Sequence, residues 1–227
     1  MSPTESQEMS VSALPAVRRQ YALAKRILDI TLCLAFLPLA MALMLLISLA
    51  ICLESPGAAV FAQERAGRGG RRFRFYKFRT MKYGYDDRKA RQFMKAYVRG
   101  QLKPHRAGGA VYKPDHKAHI TRVGRVLRRT SLDELPQIVN VLKGDMSLVG
   151  PRPHVVWEVE EYLPWHSRRL EVLPGITGLA QVKGRSGISF EQMVLYDLQY
   201  VQERSLKLDL KILWWTLLAV ARGRGAA

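Results

Sequence analysis

The chain has 227 residues, with 36 Lys and Arg against 19 Asp and Glu, a formal net charge of +17 and an isoelectric point near 10.3. That length suits one domain of ordinary size plus a membrane element and argues against two full domains, and the charge predicts anionic partners such as phosphates, acidic lipids or nucleic acid. The only cysteines, Cys33 and Cys52, both lie inside an apolar segment, which argues against a disulfide framework.

In chain order, residues 1–17 are small and polar without helical periodicity and are expected to be a flexible tail, with 1–20 as its bounds. Lys25 and Arg26 then introduce an apolar run from Ile27 to Leu53, long enough to enter a bilayer and too long and too late for a secretory signal. Pro38 falls in its middle, where the missing N–H and the clash with the carbonyl four residues back predict a kink or break. Both flanks are basic, Arg18, Arg19, Lys25 and Arg26 before and Arg65, Arg68, Arg71 and Arg72 after, whereas a spanning helix carries its positive residues mainly on the cytoplasmic side. Residues 21–54 are therefore expected to be a re-entrant helix-break-helix with two cytoplasmic ends; a plain spanning helix is the alternative.

Ser55, Pro56 and Gly57 mark a turn. Phe73 and Phe75 then alternate with Arg72 and Arg74 as in a strand, and the phase shifts at Tyr76 to Phe78, for which a bulge or strand end near Tyr76 would account. Interleaved basic and aromatic residues also describe single-strand nucleic-acid grooves, but no Walker-type lysine follows Gly67, Gly69 and Gly70. From Lys82 to His119 the chain is irregular: Asp87 to Gln101 reads as a helix, Pro104, Gly108 and Gly109 as a loop, and His105, His116 and His119 lack zinc-ligand spacing.

The stretch from Arg128 to Pro153, RRTSLDELPQIVNVLKGDMSLVGPRP, carries the site candidates. Asp133 and Glu134 adjoin each other in a strongly basic chain, just ahead of Pro136, which suits a first helical position. A helix over Gln137 to Leu142 ending at Gly144 would put both carboxylates at its N-terminus, where the dipole and Arg128 and Arg129 favour the ionised form. Such a carboxylate is a nucleophile or a metal ligand; the alternative is a capping box of Ser131 with Glu134, Asp133 decorating the first turn. Arg152, between two prolines, is a rigidly mounted guanidinium for phosphate or for a structural ion pair.

Downstream, His154 to Leu170 reads as helical in two parts split by Pro164, and PGITGLAQVKGR as a glycine-rich loop. Ser189 to Arg204 reads as a helix with Phe190, Met193, Val194, Asp197 and Val201 on one face, Asp197 being either functional or the buried partner of an arginine. Leu206 to Val220, with Trp214 and Trp215 beside Lys211, suits the membrane interface.

Three motifs in order, RAGRGGRRFRFYKFRTM at 65–81, SLDELPQIVNVLKGDMSLVGPRP at 131–153 and PGITGLAQVKGR at 174–185, resemble those of the bacterial sugar transferases known as monotopic phosphoglycosyl transferases, over about residues 25–220. The resemblance implies an α+β, mostly helical fold, with a re-entrant membrane helix before a membrane-associated catalytic domain at 55–227. It implies transfer of a sugar-1-phosphate from a nucleotide sugar to a polyprenyl phosphate at the cytoplasmic face of the inner membrane, starting exopolysaccharide or glycan assembly. It makes Asp133 the nucleophile and Lys77 a phosphate-binding cation, with Arg79 weaker. Arg128, Arg152 and Asp197 join the substrate-binding set, and Glu134 holds Mg²⁺, a hard cation that takes oxygen ligands. Anionic lipids are expected partners, nucleic acid is not, and a homodimer is left open. Two positions depart from the pattern: His119 and Leu173 stand where relatives usually carry arginine, and Arg168, Arg169 or Lys183 are candidates to compensate for the second. The competing reading, a membrane-tethered basic scaffold or nucleic-acid binder, is opposed by the carboxylate pair, which would repel a phosphate backbone.

Overall fold

The structure, a computed structural model, describes residues 3–82, 84, 88–101, 119–184 and 187–222, with side chains from residue 19 onward. It is mostly helical with a few short strands. Helix α1 runs from Pro3 to Glu54. Strands β1 (Val60–Ala66) and β2 (Arg72–Phe78) form an antiparallel hairpin. Helices α2 (Arg88–Val98), α3 (Arg122–Thr130) and α4 (Gln137–Lys143) follow, α3 and α4 joined through a 3-10 turn at Leu132–Glu134. Strand β3 (Ser147–Val149), helix α5 (Val156–Val159), a 3-10 segment at His166–Glu171, strand β4 (Gly175–Thr177) and helices α6 (Leu179–Lys183), α7 (Phe190–Glu203) and α8 (Leu206–Ala221) complete the order.

Segment Arg19–Glu54 of α1 is long and apolar enough to cross a membrane. The inward seam is Asp29, Cys33, Leu37, Ala40, Met44, Ile47 and Ile51, a spacing of three and four that continues in phase past Pro38. The helix is thus one continuous element, without the break expected at Pro38, and its backbone continues back to Pro3 where a tail without regular structure was expected. Pro38 itself is exposed, so its ring meets no packed neighbour, and packing on either side of it holds the helix in register. The outward face, including Leu34, Phe36, Leu39, Leu45, Leu46, Leu49 and Leu53, is exposed.

Strand β2 crosses the inward seam. Phe73 and Phe75 pack with Cys33, Ala40, Ile138, Val141 and Met146, whereas Phe78 packs with Ile47, Ile51 and Leu127. The β1–β2 register is unbroken from Val60↔Phe78 to Ala66↔Arg72, so the phase shift at Tyr76 is not a bulge. It arises because the strand is buried on both faces: Phe73 and Phe75 share a cluster with α4 and the middle of α1, and Phe78 one with α3 and the end of α1. The glycine-rich PGITGLAQVKGR stretch is likewise not a loop: Gly175–Thr177 is a strand parallel to β3 and Leu179–Lys183 a helix. Its glycines permit a backbone approach that no side chain tolerates, since a Cβ on Gly175 would lie 2.0 Å from the Gly150 nitrogen.

Helix α7 starts at Ser189, whose side chain caps Gln192 N, and buries Phe190, Val194, Asp197, Tyr200 and Val201. Helix α8 buries Asp209 and Ile212 and exposes Leu210, Trp214 and Leu217, with Lys211 Nζ 4.9 Å from the Trp215 ring. Asp209 receives Lys25 and Tyr21 of α1, each at 2.9 Å, and Tyr200 of α7 at 2.7 Å. The segment expected as a helix from Asp87 to Gln101 is α2, Arg88–Val98. Pro104, Gly108, Gly109, His105, His116 and the end of the basic tail lie outside the described residues.

Candidate active site

The turn that carries Asp133 and Glu134 is built by its neighbours. Helix α3 ends at Ser131, which adopts the left-handed conformation (φ 59°) and whose N–H bonds Arg128 O; this turns the chain into the 3-10 segment. Pro136 stands before α4, and Gly144 (φ 86°) closes it, as the local signals predict. Ser131 makes no side-chain cap, so the capping box alternative fails: a residue committed to the left-handed C-cap cannot also present its hydroxyl to the next helix.

Asp133 and Glu134 are both buried, Asp133 to 1% exposure. Lys77, from β2, places Nζ 2.7 Å from Asp133 Oδ2 and 3.5 Å from Glu134 Oε1, and Arg152 Nη1 lies 2.8 Å from the same Glu134 oxygen. Burial alone would raise the Glu134 carboxyl, but Arg152 and then Lys77 outweigh it and hold it at about 2. The same pairing raises Arg152. Asp133 Oδ2 is engaged by the Lys77 ammonium at a charge-assisted distance, and Oδ1 has no hydrogen-bond partner among the described residues.

Each cation is mounted separately. Asn140 of α4, fully buried, donates to Arg74 O (2.6 Å) and accepts from Tyr76 N (3.1 Å), fixing the β2 backbone just before Lys77. Arg128 donates to Thr80 Oγ1 at 2.9 Å; burial lowers its guanidinium and the nearby Asp133 charge opposes that. Arg152 is held by its backbone: Arg169 Nη2 donates to Arg152 O (3.0 Å) and Arg65 Nη1 to Pro153 O (2.9 Å). Burial brings the Arg65 guanidinium down to about 10 and, with Arg169, Arg65 and Arg152 nearby, drives His154 well below its ordinary value, so that His154 is neutral at pH 7.

The structure thus brings Asp133, Glu134, Lys77 and Arg152 together, with Arg128 beside them. Asp197 is not among them: it pairs with the buried Arg169 at 2.5 Å and reaches the site only through that arginine's grip on the Arg152 carbonyl. Arg79 ties the Ser55–Gly57 turn by its carbonyls. Of the candidates to compensate for Leu173, Arg168 pairs with Glu171 at the surface and Lys183 stacks on Tyr196. Sequence reading missed Asn140, Thr80, Arg65 and His154; Asn140 alone left a signal, a polar residue on the inward face of a short helix.

Among the described residues no group of three His, Cys, Asp or Glu could hold a metal. Two adjoining carboxylates amid cations nonetheless match the sparse protein ligation of a cation that shares substrate phosphates. A buried carboxylate pair met by Lys77 and Arg152, with Arg128 beside it, suits the handling of phosphate, and the chain belongs to the bacterial sugar transferase family, whose model matches residues 20–223. Among its relatives, a Caulobacter vibrioides protein named UDP-glucose:undecaprenyl-phosphate glucose-1-phosphate transferase is 40% identical over 211 residues, 89% of this chain and 72% of that one. The exopolysaccharide production protein ExoY of Rhizobium meliloti is 37% identical over 93% of this chain and 91% of its own length. The galactosyl transferase CpsE of Streptococcus agalactiae is 47% identical over 75% of this chain, which spans only 36% of that protein.

Proposed function

We propose that the protein transfers a sugar-1-phosphate from a UDP-sugar to undecaprenyl phosphate at the cytoplasmic face of the inner membrane, the first step of an exopolysaccharide. The Caulobacter vibrioides relative's name supports the substrate classes and that of ExoY the exopolysaccharide. The observation that carries the chemistry is Asp133: a carboxylate 1% exposed whose close partner is the partly exposed Lys77 ammonium at 2.7 Å, a partner that an incoming phosphate can replace.

In the first step an Asp133 oxygen attacks the phosphorus bearing the sugar. The bond from that phosphorus to the bridging oxygen breaks, and its electron pair leaves with UMP. In the second, a phosphate oxygen of undecaprenyl phosphate attacks the same phosphorus and returns the electron pair to the Asp133 carboxylate. Lys77, partly exposed on a flexible stem, exchanges its contact with Asp133 for the incoming phosphate. Arg152 and Arg128 supply fixed positive field for charge developing on the phosphoryl oxygens. Glu134, with Asp133 beside it, would hold Mg²⁺; the ion supplies charge neutralisation of the diphosphate.

Support for the seating of α1 with both ends on one side of the membrane comes from its ties to the domain. They run from Lys25, on Asp209, to Glu54, on the Arg122 and Val123 amides, about 43 Å of helix against about 30 Å of hydrocarbon. A helix that crossed the bilayer would carry one of these ends to the far side. Both ends therefore stay cytoplasmic while the outward leucines enter one leaflet, and basic residues such as Arg19, Lys207 and Lys211 meet anionic lipid headgroups.

The test is mass spectrometry of protein incubated with UDP-sugar and Mg²⁺ but without lipid phosphate. One sugar-phosphate should appear on the peptide containing Asp133 and be absent from Asp133→Asn. Formation on Asp133→Asn, or UMP release only when both substrates are present, overturns the covalent scheme.

A further inference from the structure

Residues 122–143 form one run in which α3 leads into the 3-10 turn with the carboxylate pair and then into α4. Its outer ends are both gripped by α1. At the start, the Glu54 carboxylate accepts the Arg122 amide at 2.6 Å and the Val123 amide at 2.8 Å. At the finish, Arg26 donates to Val141 O at 2.5 Å and Leu142 O at 2.9 Å, its Nη2 lying beside the Gly144 turn. An anion at a helix N-terminus and a cation at a C-terminus are the two favourable matches to the helix dipole, and they satisfy amides and carbonyls the helices leave over. Between these grips the inward seam of α1 continues the contact: Cys33 and Ala40 on Ile138 and Val141, Ile47 and Ile51 on Leu127, with Leu135 touching both clusters.

We propose that α1 is a clamp on the catalytic turn, with Glu54 and Arg26 as positioning residues that set the separation of α3 and α4 and so the placement of Asp133 against Lys77. The two grips are 28 residues apart on α1, which is continuous between them, so the position of this one helix bears on both ends of the run. Neither residue touches the carboxylate pair. The idea rests on the proposed activity for its kinetic arm only.

The experiment compares wild type with Glu54→Gln, Arg26→Gln and Arg26→Lys, each as full chain in nanodiscs. Two quantities are read: the single-turnover rate of adduct formation on Asp133, and amide hydrogen exchange in peptides covering 121–124 and 131–135. Each Gln variant should slow the adduct at least about tenfold at saturating UDP-sugar, with the half-saturating concentration unchanged. Exchange should rise in 131–135 as well as at the altered grip, and Arg26→Lys, retaining one donor, should recover part of both. Capping that serves stability alone would lower the unfolding temperature while leaving the rate per folded molecule and the 131–135 exchange as in wild type, and that result overturns the clamp. If wild type itself forms no adduct, the proposed activity has failed, and the exchange pattern alone decides the clamp: a rise confined to 121–124 in Glu54→Gln refutes it.

Discussion

Replacing Arg152 with Met tests the electrostatics of the site. In the folded protein Glu134 is held at about 2, against an ordinary 4.5. That gap, at ~1.36 kcal/mol per pH unit, corresponds to about 3 kcal/mol of stability. Because the folded value is the lower one, the contribution is complete above pH 4.5, declines as pH falls from 4.5 to 2, and is absent below 2. Arg152 is the larger of the two opposing influences. Without it burial prevails over Lys77 at 3.5 Å, and the carboxyl rises. Arg152→Met should therefore cost about 2–3 kcal/mol at pH 7, lowering the unfolding temperature by roughly 6 °C for a chain of this size. The difference between variant and wild type should shrink as pH falls below 4.5. Buried Glu158, whose carboxyl is raised by burial against the pull of Arg65, Arg169 and Arg152, titrates in the opposite sense, so the comparison is repeated in a Glu158→Gln background. Tryptophan fluorescence during heating, on detergent-solubilised protein from pH 2 to 8, measures it. The double variant Glu134→Gln with Arg152→Met should recover much of the loss, since position 134 then carries no buried charge that has lost its arginine. A pH-independent cost, or a double variant as unstable as Arg152→Met, would refute this account.

Three further outcomes are expected. Gly175→Ala places a methyl 2.0 Å from Gly150 N and 2.5 Å from Thr177 O, backbone that cannot move aside, and should cost more than about 4 kcal/mol by thermal unfolding; Gly69→Ala, in open space at φ 64°, should cost about 1–2 kcal/mol. Asn140→Leu leaves the Tyr76 amide and Arg74 carbonyl unpaired beside Lys77, so stability should fall by about 2–4 kcal/mol and sugar-phosphate transfer should fall further than the folded fraction accounts for. Cysteine probes at Ser12 and Ala58 should be labelled from the same side of the membrane, and labelling from opposite sides would establish a spanning α1.

Much of the site was legible locally. Asp133 and Glu134 stand out as adjoining anions in a cationic chain, Pro136 and Gly144 bound α4 by backbone chemistry alone, and Arg152 is marked by its prolines. Other readings failed where another element intervened, adjacent in the chain for Ser131 and distant in sequence for Phe78 and Gly175. Ser131 looks like a helix cap until α3 is seen to claim it as a terminator, and Phe78 breaks an alternation that holds only if a single layer covers each strand face. Gly175 and Gly178 read as loop residues because nothing nearby in sequence reveals the Gly150 backbone they must admit.

By itself the sequence determined the chemistry available: a carboxylate pair, the cations to surround it, an apolar segment interrupted by Pro38, and helices bounded by their own caps, because propensity, charge and hydrophobic period act over a few residues. Only the tertiary structure decided which cations reach the carboxylates, that Asp197 belongs to Arg169, and that α1 passes Pro38 in phase and holds the catalytic run at both ends. Those outcomes depend on contacts between residues 17 to 115 positions apart, such as Glu134 with Arg152 and Arg26 with Val141, whose formation requires the whole core to close and leaves no periodic trace in either partner's own stretch of chain.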